Sequence, residues 1–207
     1  MTSYEEVLAR NVQAYDGAVS ERAGIRLDGW KLAEHEAFAS RLRAAGSQTI
    51  VELGAGTGVH GAAFVDAGFD VLCTDPSLAM VEHCRSLGLT AAQSDALSLR
   101  LEQPVDAAFA MNSFLHIPAS DLGDALRHVR SCLRTGGLFY LGMYGGVDSE
   151  GPREADSYVP KRWFVSHSDE RLLEFVAPVF EVVDFHAVDL GAGPDFYFQS
   201  LTLQAPP

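Results

Sequence analysis

The stretch "TIVELGAGTGVHGAAF", Thr49 to Phe64, constrains this chain more than any other. A short apolar run ends in glycines at alternate positions, Gly54, Gly56 and Gly58, and passes directly into a helix-like run. Strand, glycine turn and helix in that order begin a βαβ unit, which requires a parallel sheet with helices laid over it. The turn also points free backbone N–H groups and the positive end of a helix dipole at any ligand placed there. Glycines, lacking side chains, let that ligand reach the backbone. From Gly56 to Gly61 the loop further matches G-x-G-x-x-G, the spacing that seats a dinucleotide pyrophosphate.

The rest of the chain continues the alternation. Thr49–Leu53, Asp70–Thr74 and Thr90–Gln93 read as strands, separated by helices over 57–67 and 77–87 that close at Gly68 and Gly88. "VDAAFAM", Val105–Met111, is apolar on both faces, as a central parallel strand must be. A helix over 119–133, closed by "RTGG", leads to a strand at Leu138–Met143. Upstream, residues 4–15 carry Tyr4, Val7, Leu8, Val12 and Tyr15 on one helical stripe, and a second helix spans about 29–45. Ser166-His167-Ser168-Asp169 reads as a capping box for a helix to about Val176. Beyond it, "FEVVDFHAVDL" and "DFYFQSLTLQ" flank "GAGP" and predict a hairpin. The expectation is a single α/β domain over 1–207. It is a doubly wound, mostly parallel seven-stranded sheet flanked by helices, ending in an antiparallel C-terminal hairpin. N-terminal helices over 1–46 should cover the site, with the cofactor-binding core at 47–143. The irregular piece from 144 to 167 is expected to be an acceptor-site loop, and the final helix and hairpin occupy 168–207.

Composition removes several classes. The chain has 207 residues, 47% of them hydrophobic, enough for a packed core. Its net charge is -13, and its basic residues form no run longer than those at Arg41–Arg43 and Lys161–Arg162, which argues against nucleic acid as partner. No apolar segment approaches the roughly 20 residues of a membrane span, and the start "MTSYEEVLAR" has no signal-like pattern. With Cys73, Cys84 and Cys132 lacking C-x-x-C spacing, free thiols and a cytoplasmic setting are expected. The histidines form no H-x-x-x-H pair, and no metal is expected.

Glu52, two residues before the first glycine, bears on the ligand. A carboxylate there would repel a pyrophosphate but would assist a cationic amino acid or sulfonium. "VELGAGTG" resembles the first motif of class I S-adenosylmethionine-dependent methyltransferases, an acid, one residue, then G-x-G-x-G. "CTDPSLAM", "QSDAL", "VDAAFAMNSFLHIP" and "LRTGGLFYL" resemble the motifs that follow, in order, from about Thr49 to Met143. The resemblance implies S-adenosyl-L-methionine as cofactor. It places Glu52, Gly54, Ala55, Gly56 and Gly58 about the methionine moiety, Asp75 and Pro76 at the ribose, and Met80, Asp95 and Ala96 at the adenine. Tyr15 would cover the cofactor and Asn112 would contact it, while His116 would be the general base if the acceptor must lose a proton. Tyr144, His167 and Trp163 could border the acceptor, taken to be a small organic molecule. Two alternatives stay open at this point: an NAD(P)-dependent oxidoreductase, and a non-catalytic protein binding the same cofactor. For each site residue a plain structural use also stands, such as helix capping by Asp75 or an Asx turn at Asp95.

Overall fold

The structure is a computed structural model describing residues 2–24 and 27–207. Met1, Ile25 and Arg26, all inside the region expected to cover the site, lie outside the described residues. In chain order, α1 (Tyr4–Asp16), α2 (Val19–Ala23) and α3 (Gly29–Ala44) precede β1 (Thr49–Leu53), α4 (Val59–Asp66), β2 (Asp70–Asp75), α5 (Leu78–Ser86) and β3 (Ala91–Gln93). There follow β4 (Val105–Met111), a 3-10 turn at Phe114–His116, α6 (Ala119–Cys132) and β5 (Leu133–Gly145). The chain ends with β6 (Ser149–Pro152), β7 (Trp163–Ser166), α7 (Asp169–Val176), β8 (Glu181–Val188) and β9 (Tyr197–Gln204).

The main sheet has seven strands in the order β3-β2-β1-β4-β5-β9-β8. Neighbours from β3 to β5 are parallel; β9 alone runs against them, paired with β5 on one side and β8 on the other. Strand order reverses between β1 and β4, and in such sheets the crevice at that switch point is where ligands bind.

Period-two alternation divides the core between the two faces. Ile50, Ala107, Phe109, Leu138 and Tyr140 pack with Phe38 and Leu42 of α3 and Phe64 of α4. Their neighbours Val51, Leu53, Ala108, Ala110, Phe139 and Leu141 pack with Leu126 and Val129 of α6 and Leu172 of α7. Each fully buried Phe or Leu contributes about 1.5–3 kcal/mol by leaving water. The small residues of "VDAAFAM" let helices approach β4 from both sides.

Three local expectations are corrected, and one short element is unexpected. The piece from 144 to 165 is not irregular throughout, since β6 and β7 form a hairpin pairing Ser149 with Ser166 and Pro152 with Trp163. β5 begins at Leu133, directly after α6, and pairs there with Val105 across a register shift. The short helix α2 has no apolar periodicity to announce it. The α7 cap is Ser168, whose Oγ accepts from Arg171 N at 3.3 Å, while Ser166 Oγ donates to Val147 O at 2.8 Å.

Candidate active site

A cleft lies beyond the carboxyl ends of β1, β2 and β4. One wall is the stripe Tyr4, Leu8, Asn11, Val12 and Tyr15 of α1. Side chains tie that helix down along its length. Tyr4 Oη donates to Asp95 Oδ1 at 2.8 Å, and Asn11 exchanges two hydrogen bonds with the Trp163 backbone, at 2.8 and 3.2 Å. Tyr15 Oη bonds His116 Nε2 at 2.7 Å, and Asp16 accepts from Ser77 Oγ at 2.5 Å.

Every residue assigned from the sequence to the cofactor or to catalysis borders this cleft except Gly58. Gly54 has φ +75°, and a Cβ there would stand 2.4 Å from Ser113 Cβ. Only glycine fits between the turn and the start of the 3-10 segment. Gly58 is a correction. It caps α4 with φ +76°, but its missing Cβ faces Leu89 and Cys84 in the interior, so its role is packing.

Asp75 ends β2, only 8% exposed. Its Oδ2 accepts from Gly56 N at 2.8 Å and its Oδ1 from Ser77 N at 2.9 Å. These bonds fix the carboxylate at the cleft and leave each oxygen a further lone pair. Burial raises its pKa to about 6, against those two N–H groups, which favour the charged form. Met80 is buried beside it, its N–H on the capping Ser77 Oγ. Pro76 presents its carbonyl to Gln93. Asp95 caps its own turn, accepting from Leu97 N at 2.8 Å and Ser98 N at 3.2 Å as well as from Tyr4. Burial would raise its pKa, but the bonds from Ser98, Tyr4 and the backbone outweigh that and hold it low. Ala96 follows at the rim.

Glu52 is 3% exposed, and its carboxyl turns beneath the loop. Oε2 accepts weakly from Cys73 Sγ at 3.5 Å and would touch a Cβ on Gly61. Burial lifts its pKa to about 8, which favours the protonated carboxyl near neutral pH. At the end of β4, Asn112 holds φ +58°, rare for a side-chain-bearing residue, with its N–H on Gly142 O at 2.7 Å. Asn112 Oδ1 and Ser113 Oγ are buried at the cleft with no partner among the described residues.

His116 is not arranged as a free base. Nδ1 lies 2.7 Å from Trp163 O, a carbonyl that only accepts, so Nδ1 carries the proton. Nε2 then accepts a hydrogen bond from the Tyr15 hydroxyl. Burial lowers the ring's pKa to about 4; the Trp163 carbonyl opposes this, and Arg162, Arg22 and Arg153 reinforce it. Tyr15 is pushed up by burial, against the pull of Arg162 and Arg22. Arg162 Nη1 donates to Tyr15 Oη at 3.1 Å and is itself paired with Asp156 at 2.6 Å. Tyr144, His167 and Trp163 do not border the cleft. The loop acts on it from behind, through the Trp163 carbonyl and Arg162. Sequence reasoning missed Arg22, Lys31, His60 and Ser113, which do border it.

The fold is shared with several solved structures. One is the Burkholderia thailandensis 1,6-didemethyltoxoflavin-N1-methyltransferase with bound S-adenosylhomocysteine, 18% identical, covering 100% of this chain and 92% of that one at TM-score 0.75. Another is the glycopeptide N-methyltransferase MtfA with S-adenosylhomocysteine, 17% identical, covering 84% and 89% at TM-score 0.68. A third is the [4+2]-cyclase SpnF, 19% identical, covering 77% and 76% at TM-score 0.63. No curated protein matches the chain. The class defined by this topology and cleft is the class I, Rossmann-like methyltransferase fold. Residues 50–137, which carry the glycine loop, Asp75 and Asp95, match the family model described as "Methyltransferase domain". Several solved proteins of that fold are described as S-adenosylmethionine-dependent methyltransferases, and S-adenosylmethionine is the cofactor that the sequence motifs imply. The residues present fit that group, with a fixed carboxylate at Asp75, a buried one at Glu52, and two polar atoms, on Asn112 and Ser113, that have no partner among the described residues. Among the described residues no helix is long and apolar enough to cross a membrane.

Proposed function

We propose that the protein transfers a methyl group to a small organic acceptor in the cytoplasm, holding its cofactor in the cleft between α1 and the strand ends. The observation that carries this is Asp75, pinned by Gly56 N–H and Ser77 N–H with lone pairs left for two vicinal hydroxyls. Asp75 and Pro76 would hold the ribose, and Met80, Asp95 and Ala96 the adenine. Gly54, Ala55, Gly56, Glu52 and Asn112 would hold the amino-acid end. The bound cofactor supplies an electrophilic methyl on a sulfonium. The chain's own residues orient the acceptor and exclude water, and orientation of this kind can be worth on the order of 7–11 kcal/mol. Tyr15, covering the cleft, is held in place by His116 and Arg162, so His116 is a positioning residue.

A small acceptor accords with a cleft walled along one side by α1. A second reading, a cofactor-binding protein that does not methylate, draws on the occupied nitrogens of His116 and on the same fold in a protein described as a cyclase. Calorimetric titration with S-adenosylmethionine, S-adenosylhomocysteine and NAD tests the assignment. Binding of the first two and not the third is expected; NAD affinity alone overturns it. Formation of S-adenosylhomocysteine during incubation with mixed small acceptors separates the two readings.

A further inference from the structure

Three guanidinium groups gather round Tyr15 and His116. Arg162 bonds Tyr15 and is neutralised by Asp156. Arg22 borders the cleft with its Cζ 5.1 Å from the Tyr15 ring centre, and its Nε is buried with no partner among the described residues. Arg153 lies 4.5 Å over Phe164, whose ring is 4.9 Å from that of His116. Among the described residues, neither Arg22 nor Arg153 has a carboxylate within ion-pair distance. Asp75 acts on Arg22 only at longer range, and Asp156, which acts on Arg153, is already engaged by Arg162. His116, with its proton on Nδ1 and its other nitrogen occupied, adds no compensating charge. A chain of net charge -13 thus keeps two uncompensated cations beside its site. Guanidinium groups are suited to planar oxygen or nitrogen anions, and their pull is stronger where water is excluded.

We propose that the acceptor is taken up already deprotonated, as a planar conjugated oxygen or nitrogen acid such as a phenol, an enol or an acidic ring N–H. Arg22 makes the contact, and Arg162 and Arg153 supply the surrounding field. This rests on the methyltransferase function proposed above. The acceptor releases its proton to solvent on binding, so no side chain need take it. Its lone pair then forms the bond to the methyl carbon as the carbon–sulfur bond pair returns to sulfur. Sulfonium cation and acceptor anion become neutral thioether and neutral methylated product. The product, no longer charged, loses its hold on Arg22, which assists its release.

The test begins with calorimetry of wild-type protein and S-adenosylhomocysteine; no binding there overturns the methyltransferase function itself, and this proposal with it. 4-Nitrophenol is next bound to the S-adenosylhomocysteine complex and its phenolate absorbance followed against pH, with nitrobenzene as the neutral counterpart. The bound phenol should ionise about one pH unit lower than in free solution, corresponding to about tenfold preference for the anion. Arg22→Met should abolish the shift and Arg153→Met should reduce it, each with the melting temperature as control for folding. Arg22→Lys, which keeps the charge, should retain most of it. The proposal is overturned if the complex, with S-adenosylhomocysteine bound, takes up no 4-nitrophenol, holds nitrobenzene equally well, or leaves the ionisation unshifted. It is also overturned if Arg22→Met weakens S-adenosylhomocysteine while preserving the shift, since Arg22 would then serve the cofactor's carboxylate.

Discussion

Replacing Glu52 by Gln removes a buried titration from beneath the glycine loop. Burial raises this carboxyl from 4.5 to about 8. The folded protein therefore holds the proton more tightly than the unfolded chain does. Stability from this group is fully present below about pH 4.5 and falls as pH rises, until the folded-state carboxyl has also ionised near pH 8. At about 1.4 kcal/mol per unit, the interval of about 3.5 units amounts to about 5 kcal/mol, of which about 3 has gone by pH 7. Local relaxation and water penetration are expected to reduce the measured span to about half, 2–3 kcal/mol. Glu52→Gln keeps the shape and an acceptor for the Cys73 thiol, but adds an amide N–H₂ with no partner, a pH-independent cost of about 1–3 kcal/mol. Thermal unfolding of both proteins between about pH 5 and pH 8.5 separates these two effects. The variant should melt below the wild type at the acid end and gain on it steadily, by about 5–10 °C in relative terms, towards the alkaline end. A difference in melting temperature that stays constant with pH, or that runs the other way, refutes the buried-carboxyl account.

Other outcomes follow from the same geometry. Asp75→Asn should weaken S-adenosylhomocysteine binding about 10- to 100-fold by calorimetry, because the hydroxyls lose a charged acceptor. S-adenosylmethionine binding near pH 7 should release up to about one proton as its cation draws Glu52 into ionisation, measured by calorimetry in buffers of different ionisation enthalpy and absent in Glu52→Gln. Asn11→Ala removes the acceptor of the Trp163 N–H, while His116 Nδ1 keeps the Trp163 C=O engaged, and should cost about 1–3 kcal/mol in urea denaturation, with faster cofactor dissociation in stopped flow. His116→Asn should reduce turnover without moving the pH profile above about pH 5.5, since the wild-type ring is already neutral there.

Much of the frame can be read from the chain because its signals are local. "VDAAFAM" declares a strand buried on both faces, and the glycine loop declares the turn at its neighbour's tip. The β6–β7 hairpin is silent because "SEGP" holds a glycine and a proline, no alternation, and only four residues. Ser166 and Ser168 suit a cap equally by type; the β7 ladder claims the first and leaves the second. The site divides the same way. Asp75 and Glu52 are marked by their distance from the glycines. The partners of Tyr15 are not, since His116 lies 101 residues away and Arg162 147 residues away. Gly58 shares its neighbours' residue type but turns its open side inward, a matter of backbone direction that composition does not encode. The arginines around His116 come from α2 and the hairpin tip, and only the folded sheet brings them together.

The bonds from Tyr4, Asn11, Tyr15 and Asp16 all belong to one helix near the start of the chain, and their partners lie on four separate elements. If the spent nucleoside leaves past this helix, several of these latches must release together, and its residence time follows how often the first helix swings clear. Turnover would then be paced by this amino-terminal hatch rather than by the chemical step, and shortening the helix by a turn would trade retention for speed.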